Sequence, residues 1–304
     1  MYIDNNWYGA RYLFSKYCKV KNQSAFASIQ HGHVLVKQKN LGKRIIKSTP
    51  WLVWNDKISN QCYKNKIKNV IPVGSIFIYL KKIYRFKKIL PKGTLVFPLL
   101  SQPEKKNYIL YEQLFFDLKK KFPKPYTISV SINDYKSLKK KFKRKKEINF
   151  VSWGYRGDIN YLKKLYKSIW SHKKIFCVYP GSTLIYGLYL KKKVFLSKKF
   201  YLFTKDRNYM NKVRHNSLKS LNDFKDYGIN LGNLNSKKNQ KISKQILGEK
   251  YLKSPYELKK LLGWDSIYKI IIAKILSLII NIKEDFSNGL NYSKKRRIGR
   301  DFKN

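Results

Sequence analysis

Two short segments constrain this chain more than any others: Ser28-Ile29-Gln30-His31-Gly32-His33 and Tyr179-Pro180-Gly181-Ser182-Thr183-Leu184-Ile185-Tyr186. Each places small or polar residues directly after an apolar run. In the second, a helical pattern follows at once, and another apolar run, Val194-Phe195-Leu196, comes soon after. Strand, polar turn and helix in that order is how an open α/β sheet builds a ligand crevice at the carboxyl ends of its strands. Two such points about 150 residues apart predict two α/β units facing one another.

The rest of the chain repeats the alternation. Strands are expected at Ala25 to Gln30, Trp51 to Trp54 and Asn69 to Ser75 (with its turn), separated by a helix that Asp56 could cap and that runs to Lys64. The apolar pattern of Ile76 to Tyr84 is a helix. Leu90-Pro91-Lys92-Gly93 breaks both periods and reads as the link between lobes. A second series follows, with strands at Thr94 to Leu99, Tyr126 to Ser131, Ile148 to Ser152, Lys174 to Val178 and Lys193 to Leu196. Its helices are expected at Tyr108 to Phe122, from a cap at Asp134 to Phe142, at Ile159 to Trp170 and at Ser182 to Tyr189. Ser254-Pro255-Tyr256-Glu257 starts another, with Ser as cap and Pro in the first turn. Val34 to Lys47 reads as a basic loop, and Gly232 to Lys244, rich in Asn, Lys and Ser, as a mobile one. The fold class is therefore α/β, two Rossmann-like lobes with a cleft between them and a reduced N-terminal lobe. The first lobe takes residues 1–90 and the second 91–264, followed by an apolar helix over 265–290 and a basic tail over 291–304.

With 43% hydrophobic residues and 15% aromatics the chain can bury a sizeable core. Its 67 Lys and Arg against 17 Asp and Glu leave +50, a field that attracts nucleic acid, anionic lipid or polyphosphate. The chain is also crowded with Ile, Asn and Tyr, which share A/T-rich codons with Lys, so genome composition accounts for much of the lysine. The lysines are scattered through every segment, which counts against a dedicated nucleic-acid footprint. Cys18, Cys62 and Cys177 are odd in number and show no paired spacing, so neither a disulfide framework nor a zinc site is indicated, and a reducing cytosol fits. The start, Met1 to Trp7, has no basic region followed by an apolar stretch and does not read as a signal peptide. The longest apolar run, Ile270 to Ile282, is broken by Lys274 and is too short to span a bilayer. On a helix, Ser266, Lys269, Ala273, Ser277 and Asn281 form one narrow stripe. Packing across the lobes is the expected role of that helix, with contact at a membrane interface as the alternative.

Three places could carry chemistry. Gly181-Ser182-Thr183 ahead of a helix offers free N–H groups, two hydroxyls and the positive end of the helix dipole, a good phosphate seat. An ordinary turn capped by Ser or Thr is the competing reading. Gly154-Tyr155-Arg156-Gly157-Asp158 ends the neighbouring predicted strand; Arg156 can fork onto a phosphate, while Asp158 can cap the next helix or bind a sugar hydroxyl. His31 ends a short buried strand beside Gly32, which lets a ligand approach, and imidazole can take a proton from a hydroxyl near neutral pH. His33 is a weaker alternative, and His172 and His215 read as surface residues. No Asp-x-Asp, phosphate loop or Gly-x-Gly-x-x-Gly occurs. Leaving-group charge would then fall to helix ends and to Arg or Lys, with no metal called for.

These segments, taken in order, resemble a family of bacterial surface-carbohydrate (capsular polysaccharide or lipopolysaccharide) biosynthesis proteins, two-lobed glycosyltransferases of the GT-B type. The matching pieces are Asn6-Trp7-Tyr8-Gly9, Gln30-His31-Gly32, Trp54-Asn55, Ile71 to Leu80, Gly93-Thr94-Leu95-Val96-Phe97-Pro98, Gly154 to Asp158, Ser182 to Leu188, Lys192-Lys193-Val194 and Ser254 to Leu258. The resemblance implies a metal-independent transferase that moves a sugar from a nucleotide-sugar donor to a cell-surface polysaccharide precursor. It puts the donor in the C-terminal lobe, at Gly154, Arg156, Gly181, Ser182 and Thr183, and the acceptor on the N-terminal lobe. His31 would be acceptor-side or the base, and Gly32, Asp158 and Tyr186 would touch sugar or serve structure. No cofactor is implied beyond the nucleotide-sugar substrate. The acceptor would be a polysaccharide or lipid-linked precursor, and the protein cytoplasmic, with peripheral contact at the anionic inner membrane. The alternatives are a nucleotide-sugar epimerase of similar two-lobed shape, a basic nucleic-acid-binding protein, or a non-catalytic partner in polysaccharide assembly.

Overall fold

In the computed structural model, which describes residues 7–30, 32–33, 49–86, 89–98, 108–155 and 157–279, the short apolar runs pair into two parallel sheets. The first holds β1 (Ser28–Ile29), β2 (Trp51–Val53) and β3 (Val70–Pro72) in that order. Helices α1 (Ala10–Tyr17), α2 (Asp56–Lys64) and α3 (Ile76–Ile83) belong with it. The second sheet contains five parallel strands: β4 (Thr94–Phe97), β6 (Tyr126–Ser129), β7 (Ile148–Val151), β8 (Lys174–Cys177) and β9 (Lys193–Leu196). Their spatial order is β7-β6-β4-β8-β9. Counted along the chain within that sheet this is 3-2-1-4-5, a doubly wound arrangement whose strand order reverses between β4 and β8. The protein is thus a two-lobed α/β fold, with the first lobe the smaller.

Period-two alternation builds the second lobe. Ile175 and Cys177 of β8 face one side with Leu95 and Phe97 of β4, packed against α6 (Tyr161–Ser171) and α7 (Ser182–Tyr189). Phe176 and Val178, with Val96, face the other side against α4 (Tyr111–Lys121) and the turn after α5 (Ile132–Lys141). The first of these cores does not stop at the lobe boundary. It runs on through Phe77, Trp54 and Phe14 of the first lobe as one buried cluster. Phe77 stacks on Tyr186 with ring centroids 3.8 Å apart and 7° between planes, and such a pair adds about 0.5–1.5 kcal/mol beyond its buried area.

Several expectations shift. Asn55, not Asp56, caps α2, its side chain accepting from the N–H of Ile58 at 3.1 Å. Ser131, not Asp134, caps α5; Asp134 sits in the first turn and accepts from the Ser131 hydroxyl at 2.9 Å. The helix expected from Tyr108 starts at Tyr111, because β5 (Tyr108–Ile109) pairs antiparallel with β10 (Leu202–Phe203). His172 is half-buried, with ring nitrogens 2.6 Å from the Ser168 carbonyl and 2.8 Å from the Thr127 hydroxyl.

The larger differences are C-terminal. A long helix, α8 (Arg207–Asp226), occupies a stretch with no apolar period, since Ser217 and Ser220 share its buried side with Val213 and Phe224. The supposed mobile loop is mostly α9 (Lys237–Ile246), capped by Ser236. Asn239 is fully buried there, accepting from Asn230 N–H and donating to the carbonyls of Asn230, Asn233 and Leu234. That one side chain ties the preceding turn to the helix.

Beyond α9 the chain runs through a 3-10 turn (Glu249–Tyr251) and α10 (Pro255–Leu261), which begins with the expected Ser254–Glu257 capping box. This segment returns to the first lobe. Phe26 N–H donates to Leu262, the Trp264 indole donates to Ser24, and the Tyr17 hydroxyl donates to Lys253. A last helix, α11, covers residues 267–279. Ala273 is buried and Ile270 packs on the core, while most of its remaining apolar side chains are exposed. The Val34 to Lys47 loop, residues 280–290 of the expected helix and the 291–304 tail lie outside the described residues.

Candidate functional site

Both sheets turn their carboxyl ends toward the boundary between lobes, and the two edges are finished differently. In the first lobe, the ends of β2 and β3 are covered by the C-terminal end of α9. Asn55 Nδ2 donates to the Ile246 carbonyl at 2.6 Å, and Ser75 N–H donates to the Leu247 carbonyl at 2.8 Å. Gly248, with φ +72°, lies directly on the Trp54 carbonyl. Only the end of β1 is left, and Gln30 braces it. Its side chain is buried, donates to the Gly32 carbonyl and accepts from the Trp54 N–H.

The β1 end reaches across to α7. His33 N–H donates to Ser182 Oγ at 2.8 Å, and a Cβ on Gly32 would stand 3.7 Å from the same hydroxyl. Segments 149 positions apart in sequence therefore meet at the start of one helix. That start lies at the switch point of the second sheet, directly after β8, where doubly wound sheets hold ligands.

Most neighbouring helices have their first N–H groups satisfied by a side chain: Asn55, Ser75, Ser131, Asp206, Ser236 and Ser254 each cap one. Helix α7, like α1, α4 and α6, has no side-chain cap, although Ser and Thr stand at its first two positions. The Ser182 hydroxyl is turned to His33 instead, and Thr183 Oγ1 lies 3.7 Å from Cys177 Sγ. Gly181, Ser182 and Thr183 are half-buried, open in part to solvent. Gly181 is extended, with φ −163°, and the nearest atom to a Cβ there would be Tyr179 Cδ1 at 3.9 Å. Neither backbone nor packing requires glycine at that point.

Around this helix start the ionisable groups are arranged as follows. His33 Nε2 lies 2.9 Å from Asp223 Oδ2 on α8, both side chains 5% exposed, although the contact is bent away from hydrogen-bond alignment. The His33 ring also tilts against Phe224 at 4.9 Å, and its Nδ1 has no hydrogen-bond partner among the described residues. Burial pushes the Tyr179 phenol up, offset in part by the Ser220 hydroxyl. Burial likewise pushes the Cys177 thiol up to about 12, so it stays protonated and inert. The Tyr186 phenol is raised by burial and shares hydrogen bonds with Ser75 and Ser182. Its ring, 2% exposed, is part of the core between lobes.

The other sequence candidates fall at greater distance. Gly154 and Asp158 follow β7, three strand spacings from β8, about 14 Å along the same edge. Gly154 turns at φ +95° under the Asp158 carboxylate. Burial raises the Asp158 pKa, but the Lys164 ammonium at 2.7 Å and the Asn160 N–H outweigh it and hold the carboxyl below its usual range. Arg156 and His31 lie outside the described residues. Asp223 is the residue that sequence reasoning missed; its signal, a polar residue on the buried side of a serine-rich helix, has no apolar period to reveal it. Among the described residues, no three His, Cys, Asp or Glu side chains are grouped so as to hold a metal ion.

Among solved structures, the chain is similar to the UDP-GlcNAc 2-epimerase from Methanocaldococcus jannaschii, at 16% identity and a TM-score of 0.41, over 86% of this chain and 75% of that one. It is also similar to TarM, at 16% identity and a TM-score of 0.33, over 81% of this chain and 51% of that one. No family model matches the chain, and no curated protein matches it in sequence.

Proposed function

We propose that this protein is a metal-independent glycosyltransferase, moving a sugar from a nucleotide-sugar donor to a cell-surface polysaccharide precursor. The observation that carries the reading is the uncapped start of α7 at the sheet's switch point, with the end of β1 seated against it. Free N–H groups and the positive end of a helix suit a nucleotide's phosphates. A second lobe touching the same point suits an acceptor.

In the proposed step an acceptor hydroxyl attacks the anomeric carbon. The new C–O bond forms as the bond from that carbon to the phosphate oxygen breaks, and its electron pair leaves on the phosphate. The α7 N–H groups stabilise that charge. The acceptor proton passes to an imidazole, His31 or His33. Asp223 Oδ2, 2.9 Å from Nε2, would hold the His33 ring in place. The basic surface would hold the protein at the anionic inner face of a membrane, where lipid-linked acceptors reside.

A thermal-shift screen against UDP-, GDP-, CMP- and CDP-linked sugars tests the donor side, since a ligand at a hundredfold its Kd stabilises by about 2.7 kcal/mol. Stabilisation by one of these donors, and nucleotide release that needs an acceptor, are expected. No stabilisation by any of them would overturn the reading. Chemistry on the donor without acceptor would point to an epimerase. Full transfer by both His31→Ala and His33→Gln would remove the assigned base.

A further inference from the structure

Helix α11 is amphipathic in an unusual sense. The side toward the protein carries Ile270, Ala273 and Ser277, of which Ala273 is completely buried. The side toward solvent carries Ile267, Tyr268, Ile271, Ile275, Leu278 and Ile279, exposed by 79%, 70%, 50%, 51%, 61% and 44%. At 100° per residue these six fall within an arc of about 120°, with Lys274 at its margin. A lone exposed isoleucine means little, but a continuous apolar arc over three turns marks a surface that something covers.

Charge decides what covers it. Residues 266–279 contain two lysines and no acidic residue, in a chain whose net charge is +50. A second copy of this chain would bring another +50 against +50. An anionic bilayer surface would offset that charge and accept the apolar arc at the headgroup boundary, where Tyr268 also fits. No helix among the described residues is long and apolar enough to cross a membrane, so α11 would lie in the interface plane.

We propose that the outward face of α11 is the surface by which this protein docks on anionic lipid bilayers, its apolar arc entering the interface and Lys274 at the arc's margin pairing with headgroups. The inference deepens the peripheral-membrane part of the proposed function and is independent of the transferase chemistry. Co-sedimentation of the full chain with vesicles tests it, comparing phosphatidylcholine alone with phosphatidylcholine containing phosphatidylglycerol. Binding to the anionic vesicles only, reduced at least tenfold in an Ile271→Glu/Ile275→Glu variant, is the expected result. The variant should keep its melting temperature and any donor-induced thermal shift, so loss of docking and loss of the donor site are read separately. If the double variant does not fold, Ile267→Glu, at the most exposed position, takes its place. Absence of binding by the unmodified chain would overturn the proposal. So would equal binding by the variant, which would assign adhesion to scattered charge alone, or a change from dimer to monomer on substitution, which would assign the face to a second copy.

Discussion

Gly248 and Gly181 stand at the carboxyl edges of the two sheets and show how differently those edges are built. At Gly248 the backbone of one segment rests on another. A Cβ would fall directly on the Trp54 carbonyl oxygen and 3.1 Å from Gly74 Cα, at a φ of +72° that disfavours side chains. At Gly181 the φ is extended and a Cβ would meet nothing closer than 3.9 Å. One glycine is required by the fold. The other leaves room in front of an uncapped helix, and that room is what a ligand site needs. The first lobe's edge has been closed by carbonyls from α9, while at the second lobe's edge the Leu184 N–H turns back to the Gly181 carbonyl and no side chain caps the helix.

The contrast breaks most visibly at Gly248. Gly248→Ala must push the α9 end off β2, and the expected outcome is a loss of more than about 4 kcal/mol or no folded protein. The urea midpoint measures it, and a midpoint equal to that of the unmodified chain would show that this edge is not closed as described.

Asn55→Ala attacks the same edge from the other side. It removes the α2 cap, the bond to the Ile246 carbonyl and the contact with the Tyr227 hydroxyl at 3.3 Å. A lost cap costs about 1 kcal/mol and a stranded buried carbonyl about 1–3 more. We expect about 3 kcal/mol in urea unfolding, with Asn55→Asp recovering the cap but not the donated bond.

Gly181→Val moves the test to the open edge and reverses the readout. Stability should stay within about 0.5 kcal/mol, because the position is unstrained and uncrowded. Donor-induced stabilisation should vanish, corresponding to at least a roughly hundredfold loss of affinity, or about 2.7 kcal/mol. A fall in the urea midpoint with donor binding intact would make Gly181 a structural residue like Gly248.

Much of this contrast was legible before the coordinates. The start of α7 at Ser182 and the strand Lys193 to Leu196 follow from apolar period and turn chemistry alone. Those cues act over a few residues, so they locate an element and its first turn well. They fail where a long-range contact decides. Asp56 and Asp134 are good capping residues by type, yet Asn55 and Ser131 sit at the geometric boundary and take the role. Gly232 to Lys244 has the composition of a loop, but the buried Asn239 side chain makes four hydrogen bonds to Asn230, Asn233 and Leu234, and Ile242 and Ile246 seat the helix on the core. Asp223 was hidden for a related reason: two of the five buried residues of α8 are serines, so little in its hydropathy marks an inward face. The proposed phosphate seat at the α7 start is local and readable, whereas the proposed acid–base pair depends on a helix that only tertiary packing defines.

The smallest effect lies on the opposite edge of the second sheet, where His172 follows α6. A carbonyl can only accept, so Nδ1, 2.6 Å from the Ser168 oxygen, carries the proton. Nε2 then accepts from the Thr127 hydroxyl at 2.8 Å. Burial lowers the His172 pKa below its ordinary 6.5; the Ser168 carbonyl opposes that shift and the Lys192 ammonium adds to it. The unfolded chain therefore binds this proton more readily than the folded one. The stabilisation is complete above the ordinary value and is lost as pH falls below it toward the folded pKa. Melting temperature should drop on acidification through that window, and His172→Gln, which cannot titrate, should flatten the drop. Because His172 is far from the α7 start, donor affinity in His172→Gln should match the unmodified chain. A change in affinity would mean that the two edges of the second sheet are coupled, and that the open edge is held by more than its local turn.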